Sequence, residues 1–195
     1  MNLNQAQTFI ITKLQKELNP LLSYHNVEHT LGVFNATKLI CEGEKIDKQN
    51  TVLLLTAALY HDSGFLVDRK NHEEHSCELA KKHLPQFNYT DTDIDFICKI
   101  IMATQVHYEP KTIFEKIIKD ADLDYLGTDN YFKTSEQLFT ELKNFNLISS
   151  NELEWLDLQI DFLIKHEYYT KTSKNNKAVQ KQSTLNLLLE RQKRL

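Results

Sequence analysis

The chain has 195 residues, 41% of them hydrophobic and 26% charged, with a formal net charge of −4. That length and apolar content support a buried core without disulfides and exclude wholesale disorder. The mild negative charge excludes the global basic field that advertises nucleic acid or an anionic membrane, so neither is expected as a partner.

Only four glycines and three prolines are present, which favours a few long helices over many short strands. Apolar residues recur at helical spacing almost throughout. A first helix is expected over about Gln5 to Leu18, stopped by Pro20, and a second over about Asn26 to Cys41, before Gly43. The third, about Lys48 to Tyr60, contains VLLLTAALY and is apolar on nearly every side, as befits a helix at the centre of a bundle. Next come about His72 to Leu84, closed by Pro85, and about Asp91 to Val106, closed before Pro110. Thr112 to Leu123 and Tyr131 to Asn144 follow. A further helix, Asn151 to His166, is announced by the capping pair Ser149 and Glu152. The last covers Lys177 to Arg194, and the polar stretch TKTSKNNK before it reads as a flexible loop. The expected fold is all-α: one helical-bundle domain over residues 1–195, with the helix at about 48–60 buried at its centre.

No segment approaches ~18 consecutive apolar residues, the length of a membrane span, and the N-terminus lacks the apolar core of a signal peptide. Cys41, Cys77 and Cys98 form no CxxC. They read as reduced core thiols in a cytoplasmic protein.

Histidines cluster between His25 and His107. His61 and Asp62 stand where the most apolar helix ends, just before Ser63-Gly64. An ionisable pair there is costly unless its charge is compensated. A divalent cation compensates it, since imidazole and carboxylate suit Zn, Mn, Fe or Co and a carboxylate can bridge two ions. The dipeptide alone fits a capped helix end more readily. His25 and His29, four apart, fall on one face of a helical turn. Asp120, Asp122 and Asp124 follow the run IFEKII, whose inward face leaves Asp122 at its edge; the three also read as a solvated helix end.

Taken in order, His29, His61-Asp62 and Asp122 resemble the H…HD…D signature of the HD superfamily of metal-dependent phosphohydrolases, over about residues 24–127, with C-terminal helices at about 131–195 beyond it. That family is all-helical. RKNHEEHS and IMATQVH resemble the segments that supply two further ligands in members holding two metals. The resemblance implies an H…HD…H…H…D set in which one ion takes His29, His61, Asp62 and Asp122. A second ion takes Asp62 as a bridge with His72 and His107. His72 is preferred to His75 because small Ser76 and Cys77 follow it; His75 remains the alternative. YHNxxH, from Tyr24 to His29, is similar to the start of the catalytic motif of cyclic nucleotide phosphodiesterases. That similarity implies His25 as general acid. The purine clamp of that family is not recognisable.

The implied activity is hydrolysis of a phosphate mono- or diester, with a small phosphorylated substrate, foremost a nucleotide, attacked by a metal-activated hydroxide. Asp62 orients the nucleophile and His25 protonates the leaving oxygen. The cofactor is one or two divalent ions of Fe, Mn, Zn, Co or Ni. Arg69, Lys70 and Lys119 are near ligands in sequence, though each fits a solvated surface cation better. Two other readings stay open: a diiron HD-fold oxygenase, and a non-catalytic nucleotide-sensing module.

Overall fold

The computed structural model describes residues 1–148 and 151–194. They form nine α-helices: α1 Leu3–Glu17, α2 Val27–Gly43, α3 Lys48–Tyr60, α4 His72–His83, α5 Asp91–Met102, α6 Ile113–Asp122, α7 Tyr131–Asn144, α8 Glu152–Lys165 and α9 Lys171–Gln192. Single 3-10 turns occupy Ser63–Leu66, Leu84–Phe87 and Asp124–Gly127. No strand occurs among the described residues, and no helix among them is long and apolar enough to cross a membrane.

The third helix is the hub. Asp47 caps it by accepting from the Asn50 N–H at 3.0 Å, and every residue from Leu53 to Tyr60 is buried. It packs against α1, α2, α5 and α6. Each fully buried leucine there, such as Leu54 or Leu59, contributes about 1.5–3 kcal/mol relative to exposure. The element that carries His61 and Asp62 is therefore firmly held. A second, smaller core joins Leu126, Tyr131, Leu156, Ile160, Leu163, Leu185 and Leu188, from the 124–127 turn and α7 to α9. All three cysteines are buried and free.

Two helix boundaries differ from the sequence expectation. The fifth helix stops at Met102, not Val106. The Ala103 N–H is shared between the Lys99 and Ile100 carbonyls, and the Thr104 backbone N–H and hydroxyl both donate to the Ile101 carbonyl. These short-range bonds use up the carbonyls that another α-turn would need. The last helix starts at Lys171, so TKTSKNNK is its N-terminal stretch and not a loop. Thr170 caps it, accepting from the Ser173 N–H at 3.1 Å. Thr172 donates from N and Oγ1 to Glu44 at 2.7 and 2.8 Å. Buried Asp120 accepts from the N–H groups of Tyr169 and Thr170, both at 2.8 Å. Polar residues start this helix because two acids from other elements receive its first N–H and hydroxyl groups. Ser149, expected in a capping pair, lies outside the described residues; α8 is capped by Asn151, which accepts from the Leu153 N–H at 2.9 Å.

Candidate metal centre

Three elements deliver the expected side chains to one point. The Asn26 side chain caps α2, accepting from the N–H groups of Glu28 and His29 at 2.8 and 3.2 Å, so His29 sits in the first turn. His61 and Asp62 leave the C-terminus of α3. Asp122 is the last residue of α6, a helix begun by a Thr112–Glu115 capping box and buried along Ile117, Ile118 and Ala121.

His29 Nε2 lies 3.1 Å from Asp122 Oδ1, 3.3 Å from Asp62 Oδ2 and 3.2 Å from His61 Nε2. His61 Nε2 is 3.1 Å from Asp62 Oδ2 and 3.4 Å from Asp122 Oδ1. Ligand bonds of about 2.0–2.2 Å put neighbouring ligand atoms roughly 3 Å apart, which matches this spacing. His61 donates from Nδ1 to the Ala58 carbonyl at 2.8 Å, which aims the Nε2 lone pair inward, as metal-ligating histidines are usually held. Asp62 Oδ2 is buried and lacks a hydrogen-bond partner despite its two imidazole neighbours. Two imidazole nitrogens and an unsatisfied carboxylate oxygen facing one point are expensive without a cation between them. The residues fit a divalent ion.

The electrostatics carry the same signature. Burial disfavours the charged forms here, yet mutual attraction outweighs it. Burial pushes the His61 imidazole down, but Asp62 and Asp122 hold its pKa well above the usual range. His29 is raised against its own burial by Asp122 and Asp62. Burial pushes Asp62 up, and His61, His29 and His72 pull it well below the ordinary carboxylate range. Asp122 is lowered against burial by His29 and His61.

Not every expected ligand joins the group. His72 opens α4 with Nε2 3.4 Å from Asp62 Oδ1 and Nδ1 3.3 Å from the Arg69 carbonyl. Its approach depends on Gly64, where a Cβ would meet the His72 carbonyl oxygen at 1.9 Å. Ser76 completes this junction, accepting from the Gly64 N–H and donating to the His61 carbonyl, both at 2.7 Å. His75 faces outward, with Nδ1 3.3 Å from Glu78. His107 is exposed on the turn after α5. It is not brought to the cluster, because α5 ends before the residues that were expected to carry it there.

The three acids after IFEKII part ways: Asp120 anchors the start of α9, Asp122 enters the cluster, and Asp124 pairs with Lys177 at 2.7 Å. Of the three cations near the ligands in sequence, two are engaged and one faces solvent. Lys119 donates to the Gln105 carbonyl at 2.8 Å, Arg69 lies over the Phe145 ring, and Lys70 is exposed.

His25 stacks on Phe65 with ring centroids 4.4 Å apart, and Phe65 in turn lies 4.3 Å from the His72 ring. Its Nδ1 faces Oε1 of Glu141, a fully buried acid on α7. Glu141 escaped the sequence reading. The available signal was an acid at helical spacing from Leu138 and Phe145 on the inward stripe of α7. Burial raises its carboxyl pKa, but hydrogen bonds from His25 and the Tyr24 backbone hold it below the usual range.

A helical bundle presenting inward-facing His and Asp from three helices, with a His-Asp step at the end of its central helix, defines a metal-binding class of protein. The HD domain family matches residues 26–124, just over half of the chain, and the chain belongs to that family. A crystal structure of a predicted HD superfamily hydrolase from an uncultured Thermotogales bacterium is similar over 96% of this chain and 89% of that one, with a TM-score of 0.63 and 19% identity. That likeness shows a shared fold. No curated protein matches the sequence.

Proposed function

We propose that the protein is a metal-dependent phosphohydrolase acting on a phosphate mono- or diester, with nucleotides among the substrates to be screened. The observation that carries this reading is the convergence of His29, His61, Asp62 and Asp122, with Asp62 Oδ2 buried and unsatisfied at its centre. These four would hold one divalent ion, of Fe, Mn, Zn, Co or Ni. Asp62 and His72 would hold a second. When bound, such an ion lowers the pKa of a coordinated water and neutralises phosphoryl charge.

The chain's own residues supply the rest. Asp62 orients the nucleophile as an acceptor beside the ion. Glu141 occupies His25 Nδ1 and leaves Nε2 to donate a proton to the leaving oxygen, on the wall of the cavity that His25 lines. The C-terminal helices complete the site through Glu141, which supports treating residues 1–195 as one working domain. Free, buried cysteines support a reducing compartment, the cytoplasm. The diiron oxygenase reading shares the same ligands, and oxygen uptake separates it from hydrolysis.

The test is to load purified protein with each of the five metals, then measure bound metal, phosphate release from nucleotides and simple phosphodiesters, and oxygen uptake. One or two ions per chain and phosphate release without oxygen uptake are expected. Asp62→Ala should abolish hydrolysis and weaken metal binding at least ~10–100-fold. Full metal content and rate in Asp62→Ala would refute the reading.

A further inference from the structure

Asp62, His72, Asp122 and His25 form one wall of a cavity of about 380 Å³, a size typical of small-molecule sites. The opposite wall is apolar: Leu138 and Leu142 from α7, and Trp155, Leu158 and Phe162 from α8. At the rim, Leu158 and Phe162, an i, i+4 apolar pair on α8, are 51% and 41% exposed.

The polar groups of this wall are engaged with one another. Tyr131 and Ser135 both donate to Gln159 Oε1, at 3.1 and 2.5 Å, and Gln159 Nε2 donates to the Trp155 carbonyl at 3.3 Å. Among the described residues no lysine or arginine lines the cavity, whereas Glu73 does. A chain of phosphates extending from the metal centre would meet an acid and no cation, and on the wall built by α7 and α8 reading the edge of a nucleobase would mean breaking the bonds among Tyr131, Ser135 and Gln159. An apolar group loses nothing there and covers the rim.

We infer that this cavity binds the apolar portion of the substrate, an alkyl or aryl alcohol esterified to a single phosphate. The inference rests on the phosphohydrolase reading above and narrows it. Its occupant is identified by continuity: one cavity is bounded by the cluster on one side and by apolar side chains on the other.

The test has two arms. In the first, Mn-loaded protein is assayed with ethyl, butyl and hexyl phosphate and with AMP and ADP. A buried methylene is worth roughly fourfold in affinity, so kcat/KM is expected to rise at least about tenfold from ethyl to hexyl phosphate, with ADP poorest. The neutral double variant Leu158→Gln/Phe162→Gln should flatten the series. In the second arm, metal-free protein is titrated with N-phenyl-1-naphthylamine, an uncharged apolar fluorophore. Saturable binding that the variant loses is expected.

Hydrolysis with a flat chain-length series overturns the inference and leaves the phosphohydrolase reading standing. If no ester is hydrolysed, that reading fails and the fluorophore decides the cavity: binding lost in the variant upholds an apolar site, and no binding overturns it. A dimer in solution that the variant dissociates would give the rim to a second copy and also overturn the inference.

Discussion

Glu141 and His25 are joined twice: Glu141 Oε2 accepts from the His25 backbone N–H at 2.9 Å, while Oε1 meets the Nδ1 of its ring. Oε2 also accepts from the Tyr24 N–H at 2.8 Å. One buried acid thus sets both the backbone and the ring of the residue assigned to proton donation. His25→Ala should lower turnover by ~10²-fold or more with metal content unchanged. Glu141→Gln, acting through His25, should cost about ten- to a hundred-fold. Comparing an alkyl with a 4-nitrophenyl ester separates positioning from mere structure. A nitrophenolate needs no proton to leave, so both variants should be far less impaired on it. Equal losses on the two esters would remove His25 from the proton-donor role.

The second metal position divides His72 from His107. His72 Nε2 is 3.4 Å from Asp62 Oδ1, and His107 is exposed on a turn. His72→Ala should lower the metal content by about one ion per chain, and His107→Ala should leave it unchanged. Loss of an ion in His107→Ala would show that the turn after α5 refolds around metal.

The cluster was legible in sequence through the order His29, His61-Asp62, Asp122 that resembles the HD signature, helped by the all-apolar run before His61 and the isoleucine face before Asp122. The Asn26 cap and the Thr112–Glu115 capping box, seen in the structure, fix where those side chains stand. Local rules set those positions. His107 was misplaced for the converse reason. Nothing in the periodicity of ICKIIMATQVH marks Met102 as the last helical residue; the backbone bonds of Ala103 and Thr104 decide it. Polar TKTSKNNK looked like a loop because its partners, Glu44 and Asp120, are more than a hundred and about fifty residues away in sequence. Glu141 was missed for the same reason, its bonds to Tyr24 and His25 spanning the chain.

Gly64→Ala tests how His72 is held. The new Cβ would meet backbone, the His72 carbonyl oxygen at 1.9 Å and its Cα at 2.9 Å, so the start of α4 must move away. That shift strains the Gly64–Ser76–His61 hydrogen-bond chain. Overpacking of this kind costs about 1–3 kcal/mol, measurable by denaturant titration. The ion assigned to His72 should be weakened more than the other. A variant of wild-type stability and metal content would mean that α4 sits loosely on the turn.

In metal-free protein, nearby carboxylates raise the pKa values of His29, His61 and His72 despite burial. Stability from these pairs is fully present below the ordinary histidine value of about 6.5 and is lost as pH rises through the raised values. Asp62 and Asp122 are depressed. Their contribution is present above about pH 4 and lost only as pH falls through the lowered values. Metal binding reverses the alkaline trend. An ion requires neutral imidazoles, so it must displace protons that the raised pKa values retain at low pH and release as pH rises, and its affinity rises with pH. Because an ion stabilises only the state that binds it, the gap in Tm between metal-loaded and EDTA-treated protein should widen from pH 6 to 9. Proton release on metal uptake, read in weakly buffered solution, should be greater at pH 6. A gap that narrows over this range would mean that these histidines do not hold the ion.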